Sequence, residues 1–132
     1  MTATASVSVA ALSIDCADSD ALSDFWGKAL GRPVSPGAVA GDTAVDAAGP
    51  ESGPRMLFHN VPEPRTGKNR LRLVLVTDRY DEEIERMTCL GARPVNEIKL
   101  PVVRWTTFAD PEGNEFDLVI WQPEQLPSAG TD

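Results

Sequence analysis

The chain has 132 residues, 42% of them apolar and 24% charged, with a formal net charge of −8 at pH 7. That length fits one domain with its own core, and the charge disfavours nucleic acid, whose phosphates need a basic face. No apolar run approaches the roughly 20 residues that cross a bilayer, and the N-terminus lacks a secretory pattern, so no membrane partner and a cytoplasmic location are expected.

Residues 7–16 alternate and are rich in β-branched side chains, which predicts a strand. Asp18 is a good N-cap, Leu22, Phe25, Trp26, Ala29 and Leu30 recur at helical spacing, and Gly31 supplies a stop. Residues 32–49 are weakly patterned, with short strands expected near 33–39 and 42–48. Arg55 to Val61 reads as a clearer strand. Residues 62–69 (Pro-Glu-Pro-Arg-Thr-Gly-Lys-Asn) form the best linker in the chain. Residues 70–77 are the strongest strand pattern. Asp78 is the expected cap of a second helix, with Tyr80, Ile84, Met87 and Leu90 on one face and Gly91 at its end. Strands follow near 93–99, 103–109 and 115–121, with a turn at 111–113. The segment from Pro123 is a polar tail expected to fray. Both cysteines, Cys16 and Cys89, fall at apolar-face positions and read as reduced core thiols.

Leu30-Gly31-Arg32-Pro33-Val34 returns sixty residues later as Leu90-Gly91-Ala92-Arg93-Pro94-Val95. Two copies of one supersecondary unit in a domain this size predict pseudo-symmetric halves, each strand–helix–three strands, in an α+β fold. A cleft between such halves is the natural place for a ligand.

The chain resembles the glyoxalase / bleomycin-resistance / extradiol dioxygenase superfamily, also called the vicinal oxygen chelate fold. The resemblance rests on Ile14-Asp15-Cys16-Ala17-Asp18 running into Phe25-Trp26, on Leu30-Gly31 and Leu90-Gly91-Ala92, and above all on Asp110-Pro111-Glu112-Gly113-Asn114-Glu115-Phe116. Val61-Pro62-Glu63-Pro64 followed by Lys68-Asn69-Arg70-Leu71 is similar to a glyoxalase-like subgroup common in actinobacteria. It spans residues 7–121. It implies one glyoxalase-like domain over 1–122, with module one at 7–61, a linker at 62–69, module two at 70–121 and a flexible tail at 123–132. It also implies curved sheets that form a cup, and a homodimer.

Metal-dependent members of that superfamily hold a divalent ion with up to four cup-facing His, Gln or Glu side chains. Carried over by position, these fall on Ala11, on Leu57, on Arg72 (or Leu71 if the register follows the repeat) and on Asp117. Only Asp117 offers a ligand atom, and one carboxylate is no site for a hard cation. With a single histidine, His59, and two cysteines, a zinc cage is also excluded. The expectation is no metal and no cofactor.

Strand parity then suggests what the cup presents. Asp15 goes with Ala11, His59 with Leu57, Arg72 with Val74 and Val76, and Asp117 with Val119 and Trp121. On the seventh strand Trp105 and Thr107 form one face and Arg104, Thr106 and Phe108 the other, with Trp105 favoured inside. The expected ligand site is therefore His59, Arg72, Trp105, Asp117 and Trp121: an aromatic wall, one cation, one carboxylate and one imidazole, suited to a flat, possibly cationic organic ligand. Arg72 and Asp117 could equally pair with each other. A basic cluster at Arg65, Lys68, Asn69, Arg70 and Arg72 either draws an anionic ligand or is a solvated loop. The reading is a metal-independent small-molecule binding protein. The alternative is a lyase or isomerase with His59 and Asp117 as candidate catalytic groups beside Arg72, and a third possibility is a scaffold with a collapsed cup.

Overall fold

The computed structural model describes residues 6–37, 39–49, 52–64, 66–67, 69 and 71–122; the expected tail at 123–132 and the basic residues Arg65, Lys68 and Arg70 lie outside the described residues. The chain divides into two compact units, Met1–Arg65 and Thr66–Asp132. The first contains β1 (Ala11–Cys16), α1 (Ser19–Leu30), β2 (Val34–Pro36), β3 (Thr43–Val45) and β4 (Arg55–Asn60). The second contains β5 (Leu73–Val76), α2 (Tyr80–Leu90), β6 (Arg93–Lys99), β7 (Val103–Ala109) and β8 (Glu115–Trp121). Each unit is thus a βαβββ module with one four-stranded sheet, ordered β1-β4-β3-β2 and β5-β8-β7-β6. In each, the first and last strands run parallel and the remaining pairs antiparallel. No helix among the described residues is long and apolar enough to cross a membrane.

Residues opposite one another in a sheet project to the same face. In the first unit Met56 is the register partner of Val45 and Phe58 that of Thr43. Met56, Val45 and Phe58 are buried together with Leu22, Phe25, Trp26 and Ala29, the apolar stripe of α1. Phe25 and Trp26 meet edge to face with centroids 5.3 Å apart. In the second unit Phe108 and Phe116 are register partners whose rings stack at 5.6 Å, buried with Leu118 and with Tyr80 and Met87 of α2. The Tyr80 hydroxyl pairs with that of Thr106 at 2.5 Å, and the Arg104 guanidinium lies 4.4 Å from the Tyr80 ring centre. Arg104, Thr106 and Phe108 therefore face the helix, and Trp105 and Thr107 face away from it.

Several boundaries depart from the sequence reading. β1 starts at Ala11 rather than residue 7, because its partner β4 begins at Arg55; Val7 and Val9 are left exposed. The weak strands shrink to residues 34–36 and 43–45, and β5 starts at Leu73. Asp78 does not cap α2. The N-cap is Arg79, without a side-chain hydrogen bond, and Arg79 N–H donates instead to the Thr77 hydroxyl at 2.9 Å. Cys16 is buried as expected, but Cys89 is exposed, because α2 buries only Tyr80 and Met87.

The repeated Leu-Gly word is a repeated helix stop. Gly31 and Gly91 both adopt positive φ, 64° and 116°. The next residue's N–H folds back to a carbonyl inside each helix, Arg32 to Gly27 at 2.9 Å and Ala92 to Met87 at 3.0 Å, the same bond sixty residues apart. The Asp110–Asn114 turn is built around one carboxylate. Asp110 Oδ1 accepts from the backbone N–H of Glu112 and of Asn114, both at 2.9 Å, while Asp110 C=O accepts from Gly113 N–H at 2.8 Å.

A β-carbon at Gly91 would meet nothing within 4 Å. Gly91→Ala therefore isolates the backbone cost of a left-handed residue. The expected loss is about 1–2 kcal/mol, read by thermal denaturation as a fall in Tm of about 3–8 °C.

Candidate functional site

One helix covers one face of each sheet, so the functional side chains are to be found on the helix-free faces. In the second unit, register carries Val74 and Thr107 to Asp117, Val76 and Trp105 to Val119, and Val103 to Trp121. All of these share one face. Four of the five expected ligand-site residues thus belong together: Arg72 just before β5, Trp105 on β7, and Asp117 and Trp121 on β8. His59 is on β4, in the other unit.

Arg72 and Asp117 pair directly. Arg72 Nη1 donates to Asp117 Oδ1 at 3.2 Å, and Arg72 Nη2 donates to Glu115 Oε1 at 2.8 Å. The Thr107 hydroxyl adds a 2.6 Å hydrogen bond to Asp117 Oδ1. One guanidinium therefore stands between two carboxylates, and the cluster carries one excess negative charge. Glu115 and Thr107 were not singled out from sequence, although both follow from the parity that selects Asp117. Above the cluster the face is apolar and open: Val74, Val76 and Trp121 are 64%, 70% and 63% exposed. At the carboxyl ends of β5 and β8 an open cavity of about 720 Å³ is lined by Val76, Thr77, Asp78, Ile120, Trp121 and Gln122.

In the first unit His59 Nδ1 is bonded to Asp42 Oδ2 at 2.5 Å. Asp42 is aimed by the loop before β3: Gly37 N–H donates to Asp42 C=O at 2.9 Å and Asp42 N–H to Val39 C=O at 3.0 Å. Its other oxygen, Oδ1, accepts from Asn60 N–H at 3.0 Å. Asn60 in turn accepts Ser19 N–H at 2.8 Å, tying the loop to the start of α1. The hydrogen bond to Asp42, and then its charge, raise the His59 pKa above its ordinary 6.5. The same hydrogen bond, followed by that from Asn60 N–H, lowers the Asp42 pKa below 3.8. Asp42 lies in the weakly patterned stretch, where no periodicity marks it.

The four positions matching the superfamily's metal ligands do not fit a divalent ion. Ala11 and Leu57 present only carbon, Arg72 is a fixed cation, and the Asp117 carboxylate is engaged by Arg72 and Thr107. Among the described residues no group of three or more His, Cys, Asp or Glu side chains is placed to hold a metal.

Two sheets of the same strand order, β1-β4-β3-β2 and β5-β8-β7-β6, with this turn and these helix stops, define a glyoxalase-type fold. Residues 11–119 match the glyoxalase-like domain family, and the chain belongs to it. No protein of curated function matches the sequence. The fold is similar to that of a glyoxalase/bleomycin resistance protein/dioxygenase family enzyme from Burkholderia phytofirmans PsJN, with TM-score 0.70 and 16% identity over 85% of this chain and 97% of that one. A superfamily member from Sphaerobacter thermophilus gives TM-score 0.66 and 22% identity over 86% and 97%. TnmS3, an antibiotic binding protein from Streptomyces sp. CB03234, gives TM-score 0.65 and 23% identity over 89% and 99%.

Two measurements check this geometry. Arg72→Met leaves Glu115 and Asp117 side by side without their cation, and chemical denaturation should show a loss of about 1–3 kcal/mol. The single histidine makes the second simple. Its NMR titration midpoint should lie above 6.5 and return toward that value in Asp42→Asn. The signs for stability follow from the two shifts. The His59 contribution is complete below its ordinary pKa and is lost as pH rises through the raised value. The Asp42 contribution is complete above 3.8 and is lost as pH falls through the lowered value.

Proposed function

We propose that this protein is a metal-independent small-molecule binder that holds a flat organic ligand against the helix-free face of its second module. The observation that carries the reading is the open patch of Val74, Val76 and Trp121 beside the Arg72–Glu115–Asp117 cluster. Ligand sites are mostly apolar with a few convergent polar groups, and an exposed apolar patch usually marks something bound. Trp121 and Trp105 supply stacking surface, and the one excess carboxylate favours a ligand with positive charge. That TnmS3 is an antibiotic binding protein supports the same reading within a shared fold.

The enzyme alternative gains less support. On the second module's face the candidate general base is Asp117, and both its oxygens already accept hydrogen bonds from Arg72, while the other candidate, His59, is on β4 of the first module. Binding by stacking asks nothing of Asp117 beyond its charge.

Proflavine, a flat cationic dye, is a suitable probe because tryptophan quenching reports its arrival. It should bind saturably and more tightly than the anionic dye 1-anilinonaphthalene-8-sulfonate. Trp121→Ala should weaken proflavine about tenfold or more. Equal affinity for the two dyes, or an unchanged affinity in Trp121→Ala, would refute the site.

A further inference from the structure

We propose that the first module carries a separate small-ligand site, in which His59 Nε2 and the Ser13 hydroxyl hold a small neutral carbonyl compound. A cavity of about 160 Å³ is lined by Ser13, Val39, Asp42, Leu57, Phe58 and His59, among others. Its walls are otherwise largely apolar, and two of the lining residues carry a polar atom with no hydrogen-bond partner among the described residues. One is the Ser13 hydroxyl. The other is His59 Nε2, since Nδ1 is taken by Asp42. Ser13 is the register partner of Leu57 and Asp15 that of His59, so Ser13 and His59 share the helix-free face as diagonal neighbours.

The imidazole is oriented like a working one. Asp42 fixes the ring through Nδ1, and Asn60 N–H fixes Asp42, leaving Nε2 for a ligand. Below the ring's titration midpoint, which the Asp42 carboxylate raises, Nε2–H donates, so there the complementary ligand atom is an acceptor such as a carbonyl oxygen. Charge narrows the class further. Asp42 and Asp15 flank the ring, so an anion meets two carboxylates for one imidazolium. A cation offers no acceptor to Nε2–H and is repelled by the protonated ring, and both oxygens of Asp42 are already occupied. A neutral amide or ketone satisfies His59 and Ser13 together without either conflict. Size sets the limit, because a cavity of roughly 150 Å³ holds a benzene-sized molecule. This site does not depend on the second-module reading.

The probe is 2-pyrrolidone, a neutral six-atom lactam, followed through the Cε1–H resonance of the only histidine. Tetrahydrothiophene, a neutral five-membered ring without the carbonyl, is the control, and both are measured below pH 6.5, the ordinary pKa of the histidine. We expect a saturable shift with 2-pyrrolidone, with Kd on the order of 1–10 mM, and none with tetrahydrothiophene. Ser13→Ala should weaken binding about threefold to tenfold, while Trp121→Ala leaves it unchanged. The proposal is overturned if 2-pyrrolidone gives no saturable shift or if tetrahydrothiophene gives the same one. It is likewise overturned if Ser13→Ala binds as the parent does, or if Trp121→Ala abolishes the shift. The ligand comparison needs no variant, so misfolding of a mutant leaves the test intact.

Discussion

A four-stranded sheet has two faces, and each module supplies one helix. That constraint governs the rest of the molecule. The covered face must be apolar and closely packed, and in both modules it is: Met56, Phe58 and Val45 under α1, Phe108, Phe116 and Leu118 under α2. The uncovered face is released from that demand and takes the ion pairs of Arg55 and Arg72, the histidine and the open apolar patch. Function is legible here because the helix assigns every strand residue to one face or the other.

The two uncovered faces solve the burial of charge differently. In the second module one arginine bridges Glu115 and Asp117, with Thr107 filling a remaining lone pair. Partly buried charges held this way contribute specificity more surely than stability. In the first module the carboxylates are paired with side chains that reach them across the sheet, Asp42 with His59 and Asp46 with Arg55 at 3.0 Å. Ser35 and Arg55 together hold the Asp46 carboxyl below its ordinary pKa. The same architecture therefore presents an apolar, net negative surface in one half and a titratable one in the other.

Much of this was legible in the chain. The sixty-residue echo located both helix stops, since only glycine reaches the left-handed conformation without penalty. The Asp-Pro-Glu-Gly-Asn word located the turn into β8, and strand parity brought Arg72 to Asp117. What stayed hidden has physical causes. Asp78 looked like a cap, but the chain turns one residue later and uses Thr77. Asp42 sits in a loop whose path is set by backbone hydrogen bonds rather than by any repeat of side chains. Cys89 shares the helical spacing of the core, yet α2 rolls only a narrow stripe onto its sheet.

The absence of ligand atoms at Ala11 and Leu57, and the occupied carboxylate of Asp117, bear on the central claim that this family member binds an organic molecule without a metal. The most direct measurement is native mass spectrometry of the untagged protein after incubation with nickel, zinc and manganese salts and removal of free ion. The account predicts a chain mass without retained metal, with any adduct released on denaturation being organic. One metal ion retained per chain would contradict it.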